Sequence, residues 1–133
     1  MAFAGTGKIW MNGSLVDWKD ATIHIATHTI HYGTGVFEGL RAYDSKTGTN
    51  VFRLEPHMRR LIDSCRVYRM EPRWSQAELS QAVIDDLSVE GEGKVLGDDA
   101  TEGDVHVGDG ERAAATVAGG TGVRAGAARA DGE

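Results

Sequence analysis

Lys8-Ile9-Trp10-Met11 and Ser14-Leu15-Val16 are short, largely apolar runs separated by Asn12-Gly13. Asn-Gly readily takes the positive φ angles of a type I′ turn, so the pattern predicts a β-hairpin. Val36 to Tyr43 and Thr49 to Leu54 are rich in β-branched and aromatic residues. The polar turn Asp44-Ser45-Lys46-Thr47-Gly48 between them predicts a second hairpin. The period then changes. Met58, Leu61, Ile62, Cys65 and Tyr68 recur at helical spacing behind Pro56, with Arg59, Arg60, Arg66 and Arg69 mostly off that stripe. This predicts an amphipathic helix that Pro56 opens. Ser75-Gln76-Ala77-Glu78 is a capping box, and Leu79, Ala82 and Val83 supply the apolar face of a second helix starting near Gln76. Strands with helices on one face make a two-layer α+β unit whose other sheet face awaits a neighbour.

The pattern fades after residue 85. Residues 86–133 hold no aromatic side chain, and Gly, Ala, Val, Asp and Glu fill 37 of those 48 positions against 28 of the first 85. Ordering a backbone costs about 1 to 2 kcal/mol per residue, and so little large apolar surface does not offset it. The chain is therefore expected to divide into a folded unit over 1–85 and a disordered Gly/Ala/acidic tail over 86–133. Codons for those five residues all begin with G, which suggests a GC-rich coding sequence read in a shifted frame. Resequencing the DNA around position 86 tests that origin.

Charge follows the same division. Residues 1–85 carry 10 basic and 9 acidic side chains and residues 86–133 carry 4 and 11, giving the overall charge of −6. An acidic chain offers little to phosphate backbones or anionic lipid, so neither nucleic acid nor membrane is expected as a partner. MAFAGTGKIWMNG lacks the basic and apolar regions of an export signal, and no run approaches 18 apolar residues. A cytoplasmic protein is expected. The single cysteine, Cys65, lies in the helical stripe and reads as a buried thiol.

The run HTIHYGTGVFEGLRAYD, from His28 to Asp44, resembles the signature of branched-chain amino acid aminotransferases, class IV (fold type IV) pyridoxal-phosphate enzymes. The IWMNG hairpin upstream and VFRLEPHMRRLIDSCRVYRM downstream keep the order and spacing of such enzymes. The resemblance implies the small N-terminal domain of the D-amino acid aminotransferase-like fold. It implies the cofactor pyridoxal 5'-phosphate, amino acid and 2-oxo acid substrates (leucine, isoleucine or valine with 2-oxoglutarate), and a homo-oligomer. Relatives acting on D-amino acids or 4-amino-4-deoxychorismate share the fold type, and the length of the agreement favours the branched-chain group.

By that resemblance Tyr32 and Phe37 line the apolar substrate pocket, with Tyr32 reaching the site of a partner subunit. A branched aliphatic side chain is distinguished mainly by apolar contact, which suits aromatic walls. The less favoured alternative is that both rings are plain core. Arg60 corresponds to the arginine that grips the cofactor phosphate, a task suited to a forked, permanently charged guanidinium. From helical periodicity alone Arg60 is a solvated surface charge. Arg41, after the Phe37-Glu38-Gly39 turn, corresponds to a residue near the substrate entrance, or simply solubilises a strand edge. Gly33 and Gly35 flank Thr34 without the strand-to-helix context of a phosphate loop, so close backbone packing is expected there.

His24, His28 and His31 have helical ligand spacing, but Thr22 to Ile25 reads as extended and no metal site is expected. The four lysines are Lys8, Lys19, Lys46 and Lys94, and none corresponds to the family's Schiff-base lysine. No catalytic residue is therefore assigned. The expected product is a truncated chain lacking the catalytic-lysine domain, enzymatic by descent or, alternatively, a non-catalytic fragment that docks on a full-length subunit.

Overall fold

The computed structural model describes residues 7–45, 48–90, 95–96, 111–119, 124–125 and 127–128. Strands β1 (Lys8–Met11) and β2 (Ser14–Asp17) form the first hairpin, pairing Lys8 with Asp17 and Met11 with Ser14. Its turn residues Asn12 and Gly13 have φ of 54° and 97°, the left-handed region that Asn-Gly adopts at low cost. A 3-10 turn at Trp18–Asp20 and a five-residue helix, α1 (His28–Tyr32), lead to β3 (Val36–Ser45).

Strand β4 (Gly48–Val51) pairs antiparallel with β3, completing the second hairpin, whose turn residues 46–47 lie outside the described residues. Its second strand ends at Val51 because Leu54 already belongs to α2 (Leu54–Val67). That helix begins two residues ahead of Pro56. A proline in the first turn is harmless, since no backbone donor is needed there. The stripe predicted for α2 is buried at Met58, Leu61 and Cys65, joined by Leu54. Tyr68 is a departure: the helix stops at Val67, and Tyr68 caps it and stands exposed.

Helix α3 (Gln76–Glu90) starts where the capping box predicts. The Ser75 hydroxyl accepts from the Glu78 backbone N–H at 3.3 Å, and the Glu78 carboxylate accepts from the Ser75 N–H at 2.8 Å. The helix runs across position 85 to Glu90, with Asp86 and Leu87 buried. Farther along, β5 (Val95–Leu96), β6 (Glu111–Gly119), β7 (Arg124–Ala125) and β8 (Ala127–Ala128) are strands. The rest of the stretch expected to be a disordered tail lies outside the described residues.

The described strands join one sheet in the order β2-β1-β7-β6-β3-β4-β5, with β8 beside β6. Helices α2 and α3 pack on the sheet, making the two-layer α+β arrangement. The core joins Leu40, Ala42 and Val51 of the sheet to Leu54, Met58, Leu61 and Cys65 of α2 and Leu79, Ala82, Val83 and Leu87 of α3. Trp10 reaches the same core and meets Trp74 edge-on, ring centroids 5.0 Å apart. Buried Asp86 of α3 accepts the Trp10 backbone N–H at 3.1 Å, fastening the first hairpin to the helical layer. No described helix is long and apolar enough to cross a membrane.

Candidate functional site

Strand β3 organises the residues of interest. Because successive side chains of a strand point to opposite faces, Val36, Glu38, Leu40 and Ala42 turn inward and are buried, while Phe37, Gly39 and Arg41 are exposed on the other face. Phe37, Glu38 and Gly39 lie in the strand predicted over Val36 to Tyr43, so the turn read ahead of Arg41 is not formed. β-Branched and aromatic neighbours favour the extended conformation, and pairing with β6 fixes it. Phe37 is 76% and Tyr32 73% exposed, so neither ring is core.

Ahead of β3 the chain makes a tight corner. Gly33 ends α1 with φ of 64°, and its N–H donates to the Thr29 carbonyl at 3.1 Å. A Cβ on Gly35 would lie 2.7 Å from the Thr29 side chain, so the backbone approach expected at this glycine pair is real at Gly35. The Thr29 hydroxyl donates to the Thr34 carbonyl at 3.1 Å and holds the corner closed. Tyr32 is thereby carried at the end of α1, stacked edge-on to His28 at 5.3 Å between ring centroids.

Glu38 is the inward residue that does not belong with its neighbours. It is a carboxylate 3% exposed between two aliphatic positions of one sheet face. Arg60 meets it with two donors: Nε donates to Oε2 at 2.6 Å and Nη2 donates to Oε1. The Gly39 N–H donates to Oε1 at 3.0 Å, and His57 Nδ1 lies 3.2 Å from the same oxygen without making a hydrogen bond. The Arg60 guanidinium, by hydrogen bond and charge, holds the Glu38 carboxyl below the usual glutamate range against the opposing effect of burial. Glu38 in turn raises Arg60. Burial pushes the Cys65 thiol up, as suits a structural cysteine.

Of the residues singled out from the sequence, Phe37 and Arg41 share the outward face of β3. Arg60 belongs to the other side, where it joins Glu38 beside α2. Arg60 is 66% exposed, in keeping with its off-stripe position, yet its head group is anchored rather than solvated on all sides. Glu38 and His57 escaped the sequence reading, although an acidic residue on the inward register of an alternating strand was a visible signal for the first.

The amines lie elsewhere. Lys8 pairs with Asp17 at 2.5 Å in the first hairpin and Lys19 with Asp20 at 2.8 Å in the 3-10 turn after it, while Lys46 and Lys94 lie outside the described residues. Among the described residues, both lysine ammonium groups are thus paired with aspartates, and the Arg60 guanidinium is paired with Glu38. Among the described residues no three His, Cys, Asp or Glu side chains converge as metal ligands, and His24 instead accepts the Ala26 N–H at 3.0 Å.

No family model matches the chain. Individual relatives do. It is 53% identical over 76 residues, 57% of its length, to the branched-chain-amino-acid aminotransferase of Pseudomonas aeruginosa, and 51% identical over 77 residues to that of Escherichia coli K12. The matched region spans about 25% of those relatives. Among solved structures, an Escherichia coli branched-chain amino acid aminotransferase superposes with a TM-score of 0.74 and 30% identity, over 94% of this chain and 41% of that one. The branched-chain amino acid aminotransferase from Thermobaculum terrenum, solved in its PLP-form, superposes with a TM-score of 0.59 and 32% identity, over 67% of this chain and 30% of that one.

Proposed function

We propose, for a chain whose first part is the counterpart of the N-terminal part of branched-chain amino acid aminotransferases, that it supplies the small-domain half of a transaminase site for leucine, isoleucine or valine with 2-oxoglutarate. In this reading Tyr32 and Phe37 form an apolar wall, Arg41 stands near the substrate entrance and Arg60 takes the phosphate of pyridoxal 5'-phosphate. The enzyme works in the cytoplasm as a homo-oligomer, with Tyr32 facing the site of a neighbouring subunit. The amine that holds the cofactor comes from residues other than the described ones. The observation that carries the reading is the pair of exposed rings, Phe37 and Tyr32. Leaving two large aromatics in water has no folding benefit, and apolar walls of this kind sort branched aliphatic chains.

The test is a chimaera in which residues 1–85 replace the matching segment of the Pseudomonas aeruginosa relative. It should exchange amino groups between leucine and 2-oxoglutarate, and Phe37→Ala should weaken leucine use by roughly 10-fold or more, as expected for lost apolar contact. A folded, cofactor-loaded chimaera indifferent to Phe37→Ala would sink the pocket assignment.

The placement of Lys8 and Lys19 favours a second reading for the 133-residue chain by itself: a non-catalytic unit that docks on a complete aminotransferase subunit. Mixed with pyridoxal phosphate and borohydride, it should then gain no adduct at a single lysine. Mixed with a complete relative, it should enter a joint oligomer, and strict absence of any complex excludes docking.

A further inference from the structure

Glu38 is expensive where it stands. Two aliphatic residues, Val36 and Leu40, occupy the flanking inward positions of β3, and a third would bury there without a charge to compensate. A buried ion pair is weak as a source of stability, because the cost of stripping water from the carboxylate cancels much of the attraction it regains. The geometry does achieve something else. Arg60 lies off the apolar stripe of α2, where a long side chain normally samples many rotamers in water, and the carboxylate reaches it from 22 positions away in the chain.

The contact is directional. Nε and Nη2, one edge of the guanidinium, both donate to Glu38. Two parallel hydrogen bonds fix the plane of the group as well as its position. The opposite edge, Nη1 with the outer proton of Nη2, then points away from Glu38 as a preset fork. The carboxylate is itself held still by the Gly39 N–H, so the strand backbone, through Glu38, sets the aim of a side chain on a helix.

We propose that Glu38 is a positioning residue: it orients Arg60 so that the free edge of the guanidinium receives an anionic phosphate. The inference rests on the reading of Arg60 given under Proposed function and adds the residue that makes it work. Glu38 does not touch the anion. It removes the rotamer freedom that Arg60 would otherwise lose on binding, which is the general benefit of a preorganised site.

The full chain, labelled with 15N, tests this through the Arg60 Nε–Hε resonance, identified by its loss in Arg60→Lys, with inorganic phosphate as the probe. In the native chain that signal should be sharp and shielded from water exchange, and it should move saturably with phosphate in the millimolar range. In Glu38→Gln, which keeps shape and removes charge, the signal should broaden and the phosphate response should weaken by about tenfold, by analogy with the lower end of the loss seen when an outer partner of a metal ligand is removed. Glu38→Asp keeps the charge but withdraws it by one methylene. It should lose most of the response as well, and it replaces Glu38→Gln should that variant fail to fold. An undiminished phosphate response in a folded Glu38 variant overturns the positioning role while leaving Arg60 as the anion-holding residue. A native Arg60 signal that phosphate does not move overturns the anion-holding reading and the positioning role with it.

Discussion

On the inward side of β3, Val36, Leu40 and Ala42 lie buried in a core shared with α2 and α3. On the outward side, Phe37 is exposed, and the segment leading into the strand carries Ile23, Ile25, Ile30 and Tyr32, each at least half exposed. The two regions use the same kinds of side chain to opposite ends. The first is closed by elements of the chain itself, and its apolar area counts toward folding. The second leaves its apolar area in water, where it adds nothing to stability and favours association. Apolar content therefore does not identify a core residue here; the face of the element it occupies does.

If the contrast is right, truncation on the inward side must hurt most. Met58 is fully buried, and Met58→Ala should cost about 2 to 5 kcal/mol, read as a lower urea midpoint with an unchanged denaturant slope. A loss below about 1 kcal/mol would mean the helical layer is not closed over the sheet as described.

Acidification should act next most strongly, again through the inward side. The Glu38 carboxyl is held below its ordinary value in the folded chain, chiefly by the Arg60 hydrogen bonds. Its contribution is therefore fully present above the unfolded glutamate value and is lost as pH falls through the folded one. Comparing the native chain with Glu38→Gln isolates this from other carboxylates. The stability of the native chain relative to Glu38→Gln should fall from about pH 7 to about pH 3, and a relative rise on acidification contradicts the sign.

Much of the inward architecture was legible in the sequence because its signals are local. Asn12-Gly13 dictates its own turn, Ser75 and Glu78 satisfy each other's backbone donors, and the spacing of Met58, Leu61 and Cys65 marks one helix face. Where reasoning from the sequence went astray, the deciding interaction was not local. Tyr68 continues the α2 period but follows the last helical residue, so the period outlasts the helix. Gly39 suggests a turn inside the strand predicted over Val36 to Tyr43, yet pairing with the distant β6 keeps that strand extended through it. Arg60 is a surface arginine by spacing, and only a carboxylate 22 residues away gives its head group an address. For the candidate site, resemblance singles out Tyr32, Phe37, Arg41 and Arg60 as expectations, and it carries no information on how Phe37 and Arg60 divide between two faces of β3.

A smaller effect is expected at the start of α3. The Ser75 hydroxyl is the N-cap acceptor for Glu78, so Ser75→Ala should cost about 1 kcal/mol, seen as a lower melting temperature. Gly is a tolerable cap, so Ser75→Gly should recover most of the loss. Failure of glycine to recover it would place the effect in something other than the cap.

The sharpest probe of the contrast is the change expected to do least to folding. Phe37→Ala removes a large aromatic side chain from the longest described strand, a site where core-type reasoning demands a loss of several kcal/mol. Because that ring is 76% exposed, truncation gives up little buried area and opens no cavity. Stability should stay within about 0.5 kcal/mol of the native chain, with at most a slight loss of strand preference, while self-association measured by sedimentation should fall. Both readouts are needed, since each alone has an ordinary explanation. Unchanged stability with unchanged association describes a neutral surface site. A large loss of stability describes a ring that is covered after all. Only unchanged stability with reduced association describes a side chain that the fold holds out for another surface, which is what separates the two faces of β3.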